Sequence, residues 1–171
     1  MATAIHQAAD SFKVFGFEVY KLPANEKGVV EARFLEEFFA TLKNPKEEVA
    51  LVSVMAANNE TGALQPYEEI GSLCQEAGVL YFSDTTQFIG KVPFDFSKSK
   101  MDFAVMSSHK VGALIGSGAV LAKDPSLLRP HVFGGGQEKG LRGGTQNYIG
   151  IECMAVAMNH FKEWCTKEVL E

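Results

Sequence analysis

The sequence predicts an α/β fold, namely a three-layer α/β/α domain around a mainly parallel sheet. Two observations support this class. Short apolar runs typical of strands alternate with segments whose apolar residues recur at helical spacing. Helices of about ten residues or more separate the strand candidates, and this order implies parallel strands joined by crossover helices.

Apolar stripes, together with residues that favour helix ends, predict four helices. Gly16 and Gly78 are plausible ends for the first and third helices, because glycine readily takes the left-handed conformation that closes a helix. Pro66 opens the third helix, and Glu68 and Glu69 favour its positive N-terminus. The predicted helices span about residues 5–15, 34–42, 66–77 and 154–164.

The strand candidates are short apolar runs. The run at residues 49–55 is nearly continuous, as expected of a strand covered on both faces. The other candidates are residues 17–22, 79–83, 102–107 and 118–122. No repeat or polar linker divides the chain, so residues 1–171 are expected to form one domain or part of one.

Composition and charge exclude several classes of protein. With 46% hydrophobic and 22% charged residues, the 171-residue chain has an ordinary globular composition. The net charge of -5 and the absence of a basic patch argue against nucleic-acid binding. No apolar run approaches the roughly 18 residues that a membrane span needs. Three widely spaced cysteines and the lack of a secretory signal predict a cytoplasmic location, or an organelle with an equivalent reducing interior.

Polar side chains follow three of the predicted strands. In open parallel sheets, ligands bind outside the carboxyl ends of the strands, so these side chains are expected to share one edge. The residues that follow the three strands are Asn58, Asn59 and Glu60; Asp84, Thr86 and Gln87; and Ser107, Ser108, His109 and Lys110. The sequence therefore predicts a functional site at this edge.

This set of groups suits a phosphorylated cofactor that has a carbonyl and a ring nitrogen, as pyridoxal phosphate (PLP) does. A lysine amine can bond covalently to the aldehyde of PLP, and an acid beside the pyridine nitrogen keeps it protonated. Hydroxyls and backbone N–H groups can hold the phosphate. Each residue alone also has an ordinary explanation, since Lys110 could be a solvated surface residue and Asp84 could cap a turn.

The motifs Asp84-x-x-Gln87 and Ser107-Ser108-His109-Lys110 resemble the class V aminotransferase family of PLP enzymes, and within it the cysteine desulfurases of iron–sulfur cluster assembly. The resemblance runs from about residue 5 to about residue 160. Each motif alone is weak, but their shared order and spacing are specific. The further matching stretches are residues 58–62, residues 90–95, residues 134–147 and His6 at the start of a helix.

The resemblance implies a role for each matching residue. Lys110 would carry the covalently bound cofactor, and Asp84 would pair with its pyridine nitrogen. Gln87 would hydrogen-bond the phenolic oxygen of the ring, and Asn59 would lie near that oxygen and the substrate amine. The other implied roles are phosphate binding by Ser107 and His109, ring stacking and proton relay by His6, and contact of Thr145 with the phosphate of the other subunit, which implies a homodimer.

The chain also departs from the family, whose members are roughly twice as long. The resemblance implies that residues 1–171 are the central part of the PLP-binding large domain, without the N-terminal arm and the C-terminal small domain. The small domain carries the mobile cysteine that receives sulfur, and none of Cys74, Cys153 and Cys165 matches its position. An excised piece, a truncated gene product and half of a split protein are all compatible with this pattern, and an unpaired sheet edge would favour self-association.

The resemblance implies that the parent protein converts L-cysteine to L-alanine and passes sulfur to an acceptor or scaffold protein. A selenocysteine lyase, another class V enzyme and a non-catalytic remnant remain alternatives.

The glycines at 112, 116 and 118 form no dinucleotide-binding fingerprint, and His131 and His160 lack metal-ligand spacing with any cysteine. Neither a nucleotide site nor a metal site is therefore expected.

Overall fold

A computed structural model of the chain describes residues 3–164, and side chains within residues 4–161. One α-helix lies between two strands in this part of the chain, and the remaining strands follow one another without an α-helix, so the alternation that the sequence predicts holds only once. The α-helices are α1 (Thr3–Ser11), α2 (Ala32–Ala40), α3 (Pro45–Glu48), α4 (Tyr67–Ala77) and α5 (Tyr148–Trp164). The strands are β1 (Val52–Ser53), β2 (Tyr81–Asp84), β3 (Phe103–Ser107) and β4 (Gly118–Ala122).

The four strands form one sheet in the order β1-β2-β3-β4. The first two pairs are parallel and the last is antiparallel, so the α/β class and the mainly parallel sheet are confirmed. The ladder continues past the short β1, because the N–H of Val54 donates to Phe82 and that of Ala56 to Asp84, at 3.3 and 3.0 Å. The predicted run at 49–55 therefore lies along β2 for most of its length.

The main apolar core lies on one face of the sheet. Val52, Tyr81 and Ala104 point to this face and are buried together with Ile70 and Cys74 of α4. Helix α2 joins the same cluster through its buried leucine. Burial of this apolar surface is what fixes the two helices against the strands.

A second, smaller cluster holds α5 against the same face. Met106, two residues beyond Ala104 in β3, is buried with Ile89 and Val111, and Phe161 of α5 packs on them. The opposite face of the strands contributes no residue to either cluster. Within residues 3–164, the sheet and the helices packed on this one face therefore make up two of the three predicted layers.

The four predicted helices are confirmed, although α5 begins at Tyr148, before its predicted start at residue 154. Gly16 and Gly78 have φ of 86° and 70°, and their N–H groups close the preceding turns. Pro66 directly precedes α4, and α5 covers the predicted C-terminal helix. No helix within residues 3–164 combines the length and apolar character that crossing a membrane requires.

The prediction of a strand at residues 17–22 is wrong, because this segment belongs to no sheet in the structure. Leu22 packs against the main core, and the Tyr20 ring stacks on Phe38 with 4.1 Å between centroids. These contacts explain the apolar pattern. A strand also needs a neighbour for its backbone groups, and none of the four strands of residues 3–164 pairs with this segment.

Candidate active site

The turn after β2 fixes the acid of the predicted site. Asp84 ends β2, and its Oδ1 accepts the N–H of Thr86 at 3.0 Å, which is an Asx-type turn. The next residue, Thr85, is buried and donates its N–H and its hydroxyl to the carbonyl of Val105, at 3.1 and 2.7 Å. Because the turn is tied to β3, the position of the Asp84 carboxylate is set by the sheet.

The turn after β3 carries the predicted lysine. Ser108–Val111 form a single 3-10 turn, with Ser108 and Val111 buried and His109 and Lys110 exposed. The Ser108 hydroxyl lies within hydrogen-bonding distance of the carbonyl oxygens of Leu114 and Ser117. This buried hydroxyl anchors the turn, so Lys110 projects from a fixed backbone.

A third loop follows β1 and carries the predicted amide. The side-chain oxygen of Asn58 accepts the N–H groups of Glu60 and Thr61, at 2.8 and 3.1 Å. These bonds shape the loop and leave Asn59 exposed at its start. Two of the predicted asparagines thus differ in role, because Asn58 holds the loop while Asn59 is free to meet a ligand.

The three turns enclose a cleft of about 200 Å³ at the carboxyl ends of the parallel strands. Four predicted site residues, Asn59, Asp84, Gln87 and Lys110, line it together. Parallel strands bring their carboxyl ends to one edge, which is why residues that are distant in sequence meet there. The cleft places an amine, a carboxylate and two amides around one small volume.

The structure does not bring the other four predicted site residues into the lining of this cleft. Ser107 and His109 flank Lys110, and the Ser107 Oγ lies 2.9 Å from the Nδ1 of His109. His6 lies half-buried in α1, and Thr145 is exposed in the loop before α5. The roles of these four residues stay predictions.

Sequence reasoning missed two residues that line the cleft, Met55 and Ala57, whereas Thr86, which follows β2, was expected at this edge. Met55 and Ala57 are buried at the end of β1 and form the apolar wall of the cleft. Their position near the end of a predicted strand could have indicated that they line the cleft. Apolar residues at such positions, however, are usually interpreted as part of the core. Thr86 had a clearer signal, because Asp84-x-Thr86 is the pattern of an Asx turn that orients the acid.

A second and larger cavity, of about 340 Å³, lies where α5 meets the 3-10 turn. Val111, Gly112, Ala157, His160 and Phe161 line it. The lining is mostly apolar and includes no carboxylate and no lysine. It therefore lacks the groups that the predicted cofactor requires, and the smaller cleft is the candidate active site.

The donor set of the smaller cleft fits PLP. An amine that can bond to an aldehyde, a carboxylate for a protonated ring nitrogen and amides for the phenolic oxygen are all present in its lining. The hydroxyl and imidazole that flank Lys110 are suitable phosphate donors and already lie in contact with each other. These residues are the ones that could hold the cofactor.

The cysteines of the described residues do not enter the cleft. Cys74 and Cys153 are free thiols, and Cys165 lies outside the described residues. Burial, and then the negative charge of Asp102, raises the pKa of the Cys74 thiol to about 12. A thiol that stays protonated is a poor nucleophile, so Cys74 is a core residue rather than a sulfur carrier.

We expect the stability of the fold to decrease as the pH rises from about 9 towards 12. The unfolded chain releases the Cys74 proton near its ordinary pKa of 9.0, whereas the folded chain retains it, so alkali favours unfolding. Burial also raises the pKa of Tyr81, which acts with the same sign. Urea unfolding between pH 8 and pH 11 measures the decrease, which should be shallower in Cys74→Ala. Equal slopes in the two proteins would contradict this assignment.

Comparison with known proteins identifies the class of protein to which this fold and cleft belong. Residues 2–171 match the family model for aminotransferase class-V, so the chain belongs to this family. Its members depend on PLP in general. The family resemblance predicted from the sequence is confirmed.

Within the family, the chain is similar to cysteine desulfurases. It is 36% identical over 168 residues to cysteine desulfurase NifS of Azotobacter vinelandii, covering 98% of this chain and 40% of the relative. It is 42% identical over 158 residues to a mitochondrial cysteine desulfurase of Arabidopsis thaliana, covering 87% and 34% respectively. The chain thus spans less than half the length of these relatives.

Solved structures give the same result for the fold. A NifS-like protein superposes with a TM-score of 0.88 at 36% identity, over 96% of this chain and 44% of that protein. SspA in complex with cysteine superposes with a TM-score of 0.86 at 31% identity, over 94% and 45%. The described residues therefore have the fold of the corresponding part of these proteins.

Proposed function

We propose that this chain is the cofactor-holding part of a PLP-dependent cysteine desulfurase. The observation that carries the proposal is the cleft in which Lys110, Asp84, Gln87 and Asn59 meet at the carboxyl ends of three strands. Residues 1–171 then correspond to the central part of the PLP-binding large domain. The similarity to named cysteine desulfurases supports this function over other class V activities.

Each residue of the cleft has a distinct task in this proposal. Lys110 would supply the amine that bonds to the aldehyde carbon of the cofactor, with the aldehyde oxygen leaving as water. The Asp84 carboxylate, oriented by the Thr86 N–H, accepts a hydrogen bond from the protonated ring nitrogen. Gln87 and Asn59 donate their amide N–H groups to the phenolic oxygen. When bound, PLP supplies a ring that accepts electrons from the substrate's α-carbon.

The four residues outside the lining complete the proposed site. Ser107 and His109, which precede Lys110 in the same turn region, donate to the cofactor phosphate. His6 stacks on the ring and relays protons once α1 is next to it. Thr145, exposed in its loop, reaches the phosphate of a second subunit, which makes the active protein a homodimer.

The proposed reaction converts L-cysteine to L-alanine. An acceptor thiol takes the substrate sulfur as a persulfide, and the proton of that thiol replaces sulfur on the substrate carbon, so atoms and electrons balance. The buried Cys74 does not serve as this acceptor, and the sulfur passes to another thiol on the way to an acceptor or scaffold protein for iron–sulfur clusters. We place the reaction in the cytoplasm.

Trapping of the cofactor tests the proposal directly. The chain is incubated with PLP, reduced with borohydride and mapped by peptide mass spectrometry. We expect one adduct per chain, at Lys110, and its loss in Lys110→Met. The exposed Lys27 serves as an internal measure of non-specific labelling. An adduct spread over exposed lysines would refute a preformed site and would favour a non-catalytic remnant.

The choice of substrate needs a second measurement on the PLP-loaded protein. Alanine release is followed from L-cysteine and from L-selenocysteine with a thiol acceptor present. A cysteine desulfurase releases alanine from both amino acids, whereas a selenocysteine lyase releases it from selenocysteine alone. Release from selenocysteine alone would overturn the desulfurase assignment and leave the PLP site intact.

A further inference from the structure

We propose that Lys91 is a positioning residue that fixes the backbone of Lys110 and joins the two turns that carry the lysine and the acid of the cleft. The inference rests on the proposed function, because it assigns the role of Lys91 relative to that site. Lys91 itself does not line the cleft. It acts through the main chain of Lys110.

The direct contact is a hydrogen bond across the two turns. The Nζ of Lys91 donates to the carbonyl oxygen of Lys110 at 3.2 Å. Lys110 lies near the end of a 3-10 turn, where the last carbonyl groups lack partners within the turn. The ammonium of Lys91 satisfies one of these carbonyls with a charge-assisted bond, which is stronger than a neutral one.

The backbone on both sides of this bond is closely packed. Lys91 lies in a tight turn, with its N–H donating to the carbonyl of Phe88 at 3.1 Å. The preceding Gly90 has φ of 79°, and a Cβ added there would lie 3.0 Å from Cγ1 of Val111. Glycine at this position lets the turn approach the 3-10 turn closely enough for Lys91 to reach Lys110.

This arrangement links the groups that must cooperate. The segment that starts at Asp84 and Gln87 continues directly into the turn of Lys91, whose ammonium then holds the turn of Lys110. A shift of one turn relative to the other would change the separation of amine and carboxylate in the cleft. Lys91 opposes such a shift without touching a ligand.

The charges of the two lysines are also coupled. Burial, and then the positive charge of Lys110, lowers the pKa of Lys91. Removing the positive charge of Lys110 would take away one of the two causes that lower the pKa of Lys91. The pKa of Lys91 should therefore rise in a variant that lacks the Lys110 charge.

Hydrogen exchange tests the positioning role without any cofactor. In Lys91→Met, which keeps the aliphatic stem and removes the ammonium, we expect the amides of residues 108–113 to exchange roughly threefold to tenfold faster. Lys91→Arg keeps a cationic donor and should restore slow exchange. The matched control is Lys27→Met, an exposed lysine on a different turn. Unchanged exchange in β2 and β3 shows that the variants remain folded.

The electrostatic coupling has its own readout. The pH profile for acylation of the Lys91 amine is measured by peptide mass spectrometry in the unchanged chain and in Lys110→Met. Its midpoint should move to higher pH when the Lys110 charge is removed, and it should not move in Lys27→Met. If the Lys110 charge did not affect Lys91, the profile would be the same in Lys110→Met as in the unchanged chain.

Borohydride trapping with PLP connects the inference to the site. We expect adduct formation at Lys110 to slow roughly threefold to tenfold in Lys91→Met and to recover in Lys91→Arg. If exchange, the pH profile and trapping are all unaffected in Lys91→Met, the inference is wrong. If the unchanged chain forms no adduct, the proposed function fails, while exchange and the pH profile still decide the role of Lys91.

Discussion

The Asp84→Asn variant is expected to bind PLP about tenfold to a hundredfold more weakly than the unchanged chain, with little change in folding. In the proposed site, the Asp84 carboxylate faces a protonated ring nitrogen. A hydrogen bond to a charged group contributes about 1.5–3 kcal/mol, which sets the size of the loss. Equilibrium titration with PLP, followed by borohydride trapping at Lys110, measures both affinity and yield.

Asparagine tests the charge of Asp84 more specifically than alanine does, because it preserves the local structure of the turn. The Asp84 Oδ1 accepts the Thr86 N–H at 3.0 Å, and an asparagine side-chain oxygen can do the same. Only the charge is removed, so a weakened affinity reports on the ring nitrogen rather than on the turn. In contrast, Asp84→Ala would remove the charge and the turn contact together.

Asp95 provides a matched control for this experiment. Its Oδ1 accepts the Ser97 N–H at 3.0 Å, which is the same Asx geometry, but its carboxylate lies outside the cleft. Asp95→Asn should therefore leave the PLP affinity unchanged. Equal affinities for the unchanged chain and Asp84→Asn would remove Asp84 from the proposed role.

Part of the lining of the cleft could be predicted from the sequence. Asn59, Asp84, Gln87 and Lys110 follow strands, and parallel pairing brings strand ends to one edge regardless of their separation in sequence. Polar residues that directly follow predicted parallel strands can therefore be expected to lie close together. This pattern gives no position for Thr145, which follows no strand and does not line the cleft.

Pairing between strands was harder to predict, since an apolar run does not specify its neighbour. Residues 17–22 have the composition of a strand, yet they pair with no strand of the sheet; Leu22 packs on the main core, while Phe17 is 49% exposed. The direction of β4 did have a signal. Only residues 108–117 separate it from β3, which is too short for a crossover helix and favours the antiparallel pairing observed.

The contact between Lys91 and Lys110 lies beyond sequence reasoning. The two residues are 19 positions apart and carry the same charge, so pairwise charge rules predict that they avoid each other. The contact forms because the ammonium meets the backbone carbonyl rather than the side chain. Gly90 permits it by allowing close approach to Val111, which only the packed structure shows.

Phe88→Ala is expected to lower the free energy of unfolding by about 3–5 kcal/mol. Phe88 is only 1% exposed and lies in the main core. Its ring makes edge contacts with Tyr67 and Phe94, with centroids 5.0 and 5.3 Å apart, and alanine would leave a cavity between them. Because single domains are stable by about 5–15 kcal/mol, this loss is a large fraction of the total.

The effect of Phe88→Ala should extend to the cleft, because Phe88 directly follows Gln87 and its N–H closes the turn onto Thr85 at 2.9 Å. Urea unfolding measures the loss of stability, and PLP trapping at Lys110 on the still-folded variant measures the loss of order in the turn. Phe133→Ala is the control, since Phe133 is 83% exposed and its removal should change stability by less than about 0.5 kcal/mol. Similar small changes for both variants would show that the aromatic cluster does not support the turn of Gln87.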